Sequence, residues 1–346
     1  MAQTSETSRV ALLDGAFGIE NLRIVHRPKP EPGPGQALVR IHAASLNFRD
    51  YLVATGRYNP KMPLPRVPLS DGAGIVEAVG GGVTRVRPGD RVAGIFMQTW
   101  LDGPNRAEHG ASALGGAIDG VLADHVVFDE NGLVQIPGHL SLAEAATLPC
   151  AAVTAWNALV EQGRVKAGDV VLVLGTGGVS LFALQFARLH GARVIATSGS
   201  DEKLARAIQL GASSGVNYKS TPAWDKRVRE LTDGLGADHV IEVGGTGTLA
   251  RSLGAARTSG NVAIIGVLSG ISSEINIAPI LHKHLTLHGI YVGSRAMFED
   301  MNRAISQHQL RPIVDRVFEM EEIQAALRHM ESAAHFGKIV VTLQGD

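Results

Sequence analysis

The hydrophobic residues of this chain follow two patterns that change near residue 150. Up to about Val127, short apolar or alternating runs are separated by glycine- and proline-rich turns, a spacing that predicts a compact, barrel-like β domain. Between Gln98 and Gly120 no periodicity is visible, which predicts a long loop of the kind that often carries function. The predicted strands of this part include the runs LRIVHRP, ALVRIHAAS, GAGIVEAVG and DRVAGIF.

After Ser141 the pattern becomes helical, and then continuously apolar runs alternate with amphipathic segments. This alternation predicts a parallel sheet with helices on both faces. Two helices near 298–307 and 320–331 and a last strand, KIVVTL, end the chain. A length of 346 residues exceeds the size at which one hydrophobic core stops growing, so two domains are expected. The predicted strands of the later part are VVLVLG, ARVIATS, HVIEVG, NVAIIGV and LTLHGIYV.

A glycine-rich turn joins the first strand of this sheet to a helix. In VVLVLGTGGVSLFALQFA, Gly175, Gly177 and Gly178 follow the strand directly, where a tight turn and a helix N-terminus suit a pyrophosphate. The third glycine of the usual G-x-G-x-x-G is replaced by Ser180, which is small enough for close packing. The context of strand, turn and helix predicts a dinucleotide site over Val170–Thr197.

The end of the second strand bears on the choice between NAD and NADP. A NAD site usually carries a carboxylate there, whereas this chain has Thr197 and Ser198 and no acid before Asp201. Lys203 then supplies charge for a 2′-phosphate, so NADP(H) is predicted over NAD(H). The alternative is that Lys203 only solvates the first turn of the next helix.

Composition excludes several classes of partner. Lys and Arg number 32 against 33 Asp and Glu, a net charge of −1 that favours neither nucleic acid nor an anionic membrane. The single cysteine, Cys150, cannot form an intramolecular disulfide, and its apolar neighbours predict an inert thiol. With a polar N-terminus and no unbroken apolar span, the sequence predicts a cytoplasmic protein.

Together these motifs resemble the zinc-independent, quinone oxidoreductase-like branch of the medium-chain dehydrogenase/reductase superfamily, which is alcohol dehydrogenase-like. The resemblance runs almost end to end, through PGPGQALVRIHAASLNFRD, PLSDGAGIVEAVG, RVRPGDRV, LPCAAVTAWNAL, GTGGVSLFALQFA and SDEKLARAIQLGA. It implies an α/β fold with a GroES-like domain over residues 1–151 and 292–346. A Rossmann domain over 152–291 and a substrate cleft at the domain junction are also implied.

The resemblance also implies a cofactor site and the absence of a metal. Zinc-dependent relatives use two Cys and a His with a nearby Glu, but here Asn47, Ser70 and Asp71 replace three of the four, and only Cys150 remains. No metal ligand is therefore predicted. The predicted cofactor-binding residues are Thr154, Gly175, Gly177, Gly178, Val179, Thr197, Ser198, Lys203, Tyr218, Gly244, Gly266, Val267 and Lys338.

Hydride transfer to a carbonyl without a metal needs another donor to the developing oxyanion. Asn47 is the predicted donor, although an Asn that only caps the turn at LNFRD is the alternative. Tyr51, Tyr58 and the cofactor ribose with solvent are candidate proton sources. Asp50 is expected to pair with a cation such as Lys338 and so to join the two domains.

The predicted function is reduction of a small or medium carbonyl, activated alkene or quinone by NADPH. A homodimer through the sheet edge near Leu285–Val292 follows from the resemblance. A zinc-dependent alcohol dehydrogenase and a non-catalytic NADPH-binding sensor or interaction protein are the alternatives. His282, His284 and His288 are spaced to share one strand face, which favours a polar face or an interface over a metal site.

Overall fold

The computed structural model describes residues 6–343, which form fifteen strands and ten α-helices. The strands are β1 (Thr7–Leu13), β2 (Leu22–Pro28), β3 (Gln36–Leu46), β4 (Asp71–Val79), β5 (Arg91–Gly94), β6 (His125–Asp129), β7 (Leu133–Gln135), β8 (Val170–Leu174), β9 (Arg193–Ser198), β10 (Ser214–Asn217), β11 (Ala237–Glu242), β12 (Ala256–Ile264), β13 (Thr286–Gly289), β14 (Val314–Glu319) and β15 (Lys338–Thr342). The helices are α1 (Phe48–Ala54), α2 (Leu142–Ala145), α3 (Val153–Trp156), α4 (Gly178–Leu189), α5 (Asp201–Gln209), α6 (Trp224–Glu230), α7 (Thr246–Ala255), α8 (Ala278–His282), α9 (Arg295–His308) and α10 (Ile323–Glu331).

These elements form two compact units. The first unit combines the described residues up to Val153 with those from Gly293 onward, and the second unit is Thr154–Val292. Among the described residues, no helix has the length and apolar character needed to cross a bilayer.

The first unit is built around β3. This strand pairs antiparallel with β15, β4 and β6, in a sheet of order β14-β15-β3-β4-β5-β7. The register sets Ile339 opposite Leu46 and Asp71 opposite Ser45, so the end of β3 lies beside the starts of β4 and β15. The predicted GroES-like β domain is confirmed, and its three strand ends bring distant polar residues together.

The second unit contains a six-stranded parallel sheet of order β10-β9-β8-β11-β12-β13. Every residue of β11 is buried, as expected for a strand covered on both faces. The chain order reverses between β8 and β11, and ligands of such sheets bind at the carboxyl ends of the strands beside this switch point. The predicted Rossmann fold is confirmed.

The segment from Ser141 to Gly163 is helical as predicted, but it is interrupted. Short α2 and α3 alternate with π-helical turns at Leu148–Ala152 and Asn157–Gln162. Pro149 lies in the first π turn, where its missing N–H removes one bond of a regular α-helix.

Candidate active site and dinucleotide site

A directed chain of hydrogen bonds links the three strand ends of the first unit. The ammonium of Lys338 at the start of β15 donates to Leu46 O at 2.7 Å and to Asn47 Oδ1 at 2.6 Å. Asn47 Nδ2 lies 3.5 Å from Ser70 Oγ, which donates to Asp71 Oδ1 at 2.7 Å. Lys338, Ser70 and Asp71 are buried, so the chain runs from a buried cation to a buried carboxylate.

Asn47 combines a structural position with an uncommitted donor. It precedes α1 in the N-cap position, and Asp50 Oδ2 accepts its backbone N–H at 2.8 Å. Its side-chain oxygen accepts from Lys338 and not from the helix. The alternative of an Asn that only caps the turn therefore explains its backbone position but not the orientation of its side-chain amide. Apart from the long contact to Ser70, Nδ2 has no acceptor among residues 6–343. An N–H therefore remains to bind a ligand oxygen.

Asp50 does not pair with Lys338, so that expectation was wrong. The carboxylate nearest the Lys338 ammonium is Asp71, at 3.8 Å, because β4 starts directly opposite the end of β3. Asp50 lies instead in the first turn of α1 with Arg49 Nη1 at 3.9 Å. Asp50 and Lys338 also belong to the same unit, so their charges cannot join two domains.

Burial raises the pKa of Asp50 to about 6, against the opposing effect of Arg49. The folded protein therefore holds this proton to a higher pH than the unfolded chain, so the contribution of Asp50 to stability falls as the pH rises from 4 through 6. Asp50→Asn keeps an oxygen acceptor for Asn47 N–H and carries no charge. Between pH 4 and 7 we expect its free energy of unfolding to rise relative to wild type by about 2–3 kcal/mol.

Urea unfolding of both proteins at several pH values measures this difference. Glu202→Gln, on the exposed start of α5, is the matched control and should follow the wild-type curve. If the difference in free energy of unfolding between wild type and Asp50→Asn did not change with pH, Asp50 would not ionise in the buried position.

The two tyrosines predicted near the site have different surroundings. Tyr51 is buried, and its hydroxyl donates to Glu331 Oε1 at 2.7 Å. That hydrogen bond raises the pKa of Tyr51, which makes it a weaker acid. Tyr58 is 40% exposed and its ring lies 4.8 Å from the Arg49 guanidinium carbon. Of the two residues, Tyr58 is the more exposed.

The residues at the positions of the zinc ligands do not fit a zinc ion. Burial and the nearby Asp71 carboxylate raise the pKa of the Cys150 thiol, which opposes the thiolate that zinc needs. Asp71 is already engaged by Ser70 Oγ and by Cys150 N–H at 3.1 Å. Within residues 6–343, no three His, Cys, Asp or Glu side chains are grouped to hold a metal ion.

In the second unit, the glycine-rich turn follows β8 as predicted. Gly175 has a φ of +74°, which requires glycine, and its N–H points to Thr197 Oγ1 at 3.3 Å. Ser180 Oγ donates to Leu174 O at 2.6 Å, so the serine that replaces the third glycine fastens α4 to the end of β8. A Cβ at Gly177 would have no atom within 4 Å, so this position opens onto free space.

This turn fits a pyrophosphate. The first N–H groups of a helix have no intrahelical acceptor, and Gly178 and Val179 begin α4 directly after the open Gly177. The dipole of a twelve-residue helix adds favourable potential for an anion at the same place.

Around the end of β9, small hydroxyl residues are combined with a tyrosine and lysines. Thr197 and Ser198 are buried, and Ser200 caps α5 by accepting the Lys203 N–H at 3.3 Å. A Cβ at Gly199 would lie 2.8 Å from the Tyr218 hydroxyl oxygen and 2.9 Å from Lys219 Cε. Tyr218 and Lys219 therefore lie directly against this turn. Sequence reasoning identified Tyr218 but missed Lys219, its neighbour at the end of β10.

A second missed residue is Glu242, the last residue of β11. It is fully buried, and one of its oxygens accepts Gly244 N–H at 2.7 Å, Gly245 N–H at 2.9 Å and Thr248 Oγ1 at 2.6 Å. Its other oxygen accepts from Ser252. A lone acid in the buried run HVIEVGG was the available signal, because a buried carboxylate must be fully hydrogen-bonded.

The later predicted cofactor residues lie on loops at the carboxyl ends of β11 and β12. Ser269 Oγ donates to Gly244 O at 2.7 Å, which fastens the loop after β12 to the loop after β11. A Cβ at Gly266 would lie 2.1 Å from Val243 O, so only glycine allows this approach. Val267 is exposed beside it, whereas Thr154, on α3, is buried.

The predicted histidine face was wrong. His282 ends α8, His284 has a φ of +51° in the following turn, and only His288 lies in a strand. His288 Nε2 lies 3.3 Å from Asn261 Oδ1 of β12. Because helix and strand divide the segment LHKHLTLHG, spacing by two does not place these residues on one face.

Sequence comparison finds two families along the chain. Residues 33–138 match the alcohol dehydrogenase GroES-like domain, and residues 178–307 match the family described as zinc-binding dehydrogenase. A zinc-type alcohol dehydrogenase-like protein of Schizosaccharomyces pombe is 43% identical, over 97% of this chain and 99% of that protein. Quinone oxidoreductase-like protein 2 of Rattus norvegicus is 30% identical, over 91% of this chain and 87% of that protein.

Solved structures show the same fold. The crystal structure of a putative alcohol dehydrogenase from Sinorhizobium meliloti 1021 has a TM-score of 0.92 at 43% identity, covering 99% of this chain and 100% of that chain. A crystal structure named NAD-dependent alcohol dehydrogenase has a TM-score of 0.89 at 37% identity, covering 97% and 100%.

Proposed function

The chain belongs to the alcohol dehydrogenase-like and quinone oxidoreductase-like family of medium-chain oxidoreductases. We propose that it reduces a carbonyl, activated alkene or quinone without catalytic zinc. The observation that carries the proposal is the Asn47 amide, whose oxygen faces Lys338 and whose Nδ2 keeps a hydrogen for a ligand. An amide donor in the place of a metal ligand is what a metal-free reduction requires.

Asn47 acts on the substrate oxygen. As hydride reaches the substrate, negative charge develops on that oxygen, and Asn47 Nδ2 donates a hydrogen bond to it. The buried Lys338 ammonium, 2.6 Å behind the amide oxygen, polarises the same amide and adds positive potential. Tyr58, the more exposed of the two tyrosines, is the proposed proton source in place of Tyr51.

The second unit holds the dinucleotide, and a bound nicotinamide supplies the hydride. Gly177, Gly178 and Val179 receive the pyrophosphate at the start of α4. Ser198, Lys203, Tyr218 and Lys219 are the proposed hydroxyl and ammonium partners of a 2′-phosphate. Tyr218 and Lys219 support this assignment because they lie against the turn at Gly199, directly after β9. We propose NADP(H) over NAD(H), although one similar structure is named NAD-dependent, because β9 ends in Thr197 and Ser198 where a NAD site usually carries a carboxylate.

Titration of the purified, chelator-treated protein with NADPH and with NADH tests this proposal through nucleotide fluorescence. We expect NADPH to bind at least about tenfold more tightly, because each charge-assisted hydrogen bond to the phosphate contributes on the order of 1.5–3 kcal/mol. Equal affinity would remove the 2′-phosphate assignment, and binding of neither would remove the oxidoreductase assignment.

Two alternative functions give different results in the same preparation. Turnover that is lost on chelation and returns with stoichiometric zinc would indicate a zinc-dependent alcohol dehydrogenase. Tight NADPH binding with no turnover of any quinone, enone, ketone or aldehyde would indicate a non-catalytic sensor. We expect neither result, because the Asn47 amide keeps a donor that a purely nucleotide-binding protein does not need.

We also propose a homodimer formed through the edge of the parallel sheet. Strand β13 has no partner strand on its outer side among the described residues, and the segment between β12 and β13 carries exposed apolar side chains. An unpaired edge with an apolar surround favours pairing with a second copy. The exposed residues are Val267, Leu268, Ile271, Ile275, Ile277 and Leu281. A single-chain mass in sedimentation analysis at micromolar concentration would exclude it.

A further inference from the structure

Lys338 is a buried cation whose partners all lie at one end of the β3 sheet. Its side chain is 3% exposed, and its ammonium donates to Leu46 O and Asn47 Oδ1 at 2.7 and 2.6 Å. Asp71 Oδ2, at 3.8 Å, balances the charge without a direct hydrogen bond. A buried ammonium is retained only where such partners compensate its lost hydration. Its position is therefore closely determined.

This position decides which way the Asn47 amide points. The oxygen and nitrogen of an amide have nearly the same size, so sterics alone allow two orientations related by a 180° rotation. An ammonium has only donors, so it can hydrogen-bond to the amide oxygen but not to the NH₂ group. With the oxygen fixed on Lys338, the NH₂ group must point away from the cation.

The other end of the chain of hydrogen bonds agrees with this orientation. Ser70 donates its only hydroxyl hydrogen to Asp71, so its oxygen can only accept from Asn47 Nδ2. At 3.5 Å this contact is long, and it leaves the second Nδ2 hydrogen without a partner among residues 6–343. The hydrogen bonds therefore all run in one direction, with each donor pointing away from Lys338 and toward Asp71.

We propose that Lys338 is a positioning residue for reduction: it locks the Asn47 amide with Nδ2 toward the substrate oxygen. No bond to Lys338 forms or breaks in this role. This inference rests on the proposed role of Asn47 as the oxyanion donor. Leu46 and Asn47 use two of the three ammonium hydrogens. Direct cofactor binding, the role predicted from the sequence, would instead appear as weaker NADPH affinity when Lys338 is replaced.

A double-mutant cycle with Lys338→Met and Asn47→Ala tests the inference. We expect Lys338→Met alone to lower kcat about 10- to 100-fold, because the misoriented amide no longer donates to the oxyanion that forms in the transition state. KM and NADPH affinity should stay within about threefold of wild type, because this hydrogen bond is absent from the ground state. In the Asn47→Ala background, adding Lys338→Met should lower kcat by less than about threefold, since no amide is left to orient. Lys226→Met, an exposed lysine on α6, is the control and should match wild type.

The outcomes separate this inference from the proposed function. Wild-type turnover in Asn47→Ala would overturn the role of Asn47 and, with it, this inference. A loss in Asn47→Ala beside wild-type kcat in Lys338→Met would overturn the inference alone, as would full additivity in the cycle. If Lys338→Met fails to fold because Asp71 is left unpaired, Lys338→Met with Asp71→Asn removes both charges. That neutral protein must show the same loss of kcat, and wild-type kcat in it would overturn the inference.

Discussion

Asn47→Asp is expected to lower kcat about 100- to 1000-fold while NADPH affinity stays within about threefold of wild type, the loss typical of one missing oxyanion donor. The two side chains have the same shape, and a carboxylate still accepts the hydrogen bond from Lys338 Nζ. A carboxylate has no N–H, however, and it adds negative charge where the substrate oxygen becomes negative. The variant therefore removes the donor and keeps the packing.

Asn47→Ala separates these two effects. It also lacks the donor, but it introduces no charge, so its kcat should lie between those of Asn47→Asp and wild type. Asn47→Ala removes one of the two acceptors of Lys338 Nζ, and loss of a hydrogen bond to a charged group costs about 1.5–3 kcal/mol, less than the roughly 5–15 kcal/mol by which a typical folded protein is stable. Steady-state kinetics with the best substrate, together with NADPH titration, provide the measurement. An Asn47→Asp enzyme that turns over normally would show that the amide plays no part in the reaction.

Local patterns in the sequence were sufficient to predict much of the fold and the dinucleotide loop. Gly175 must adopt a positive φ, and Gly177 and Gly178 follow a buried strand within a few residues, so the motif and its context lie in one continuous segment. Ser180 at the position of the third glycine was predicted to allow close packing, and the structure adds its bond to Leu174 O. Such features depend on neighbours in the chain.

The arrangement around Asn47 depends on residues far apart in sequence. Lys338 meets Asn47 across 291 residues because β15 pairs antiparallel with β3, and nothing in the local pattern fixes that register. The sequence analysis named Asn47, Asp50 and Lys338, but it predicted Asp50 as the carboxylate beside Lys338, whereas the structure places Asp71 there. The partner of Tyr51 was equally unpredictable, since Glu331 lies far along the chain on α10.

In the dinucleotide site, replacement of Gly177 by aspartate is expected to weaken nucleotide binding by a similarly large factor. Its φ of −81° and ψ of −176° suit any residue, and a Cβ there would have no atom within 4 Å. Aspartate is also a favourable N-cap residue and interacts well with the helix dipole. We therefore expect Gly177→Asp to unfold no more easily than wild type in the absence of nucleotide, so that any loss of binding is a direct effect on the ligand.

That loss should be large because the new carboxylate lies where the pyrophosphate binds at the start of α4. Two like charges about 4–5 Å apart near a protein surface repel by roughly 3–4 kcal/mol, which corresponds to at least a 100-fold weaker affinity. NADPH and NADH should be affected alike, since both carry the pyrophosphate. Gly177→Asn has the same shape without the charge, so the difference between the two variants isolates electrostatics from crowding. Unchanged NADPH affinity in a folded Gly177→Asp protein would mean that the pyrophosphate is not held by this helix.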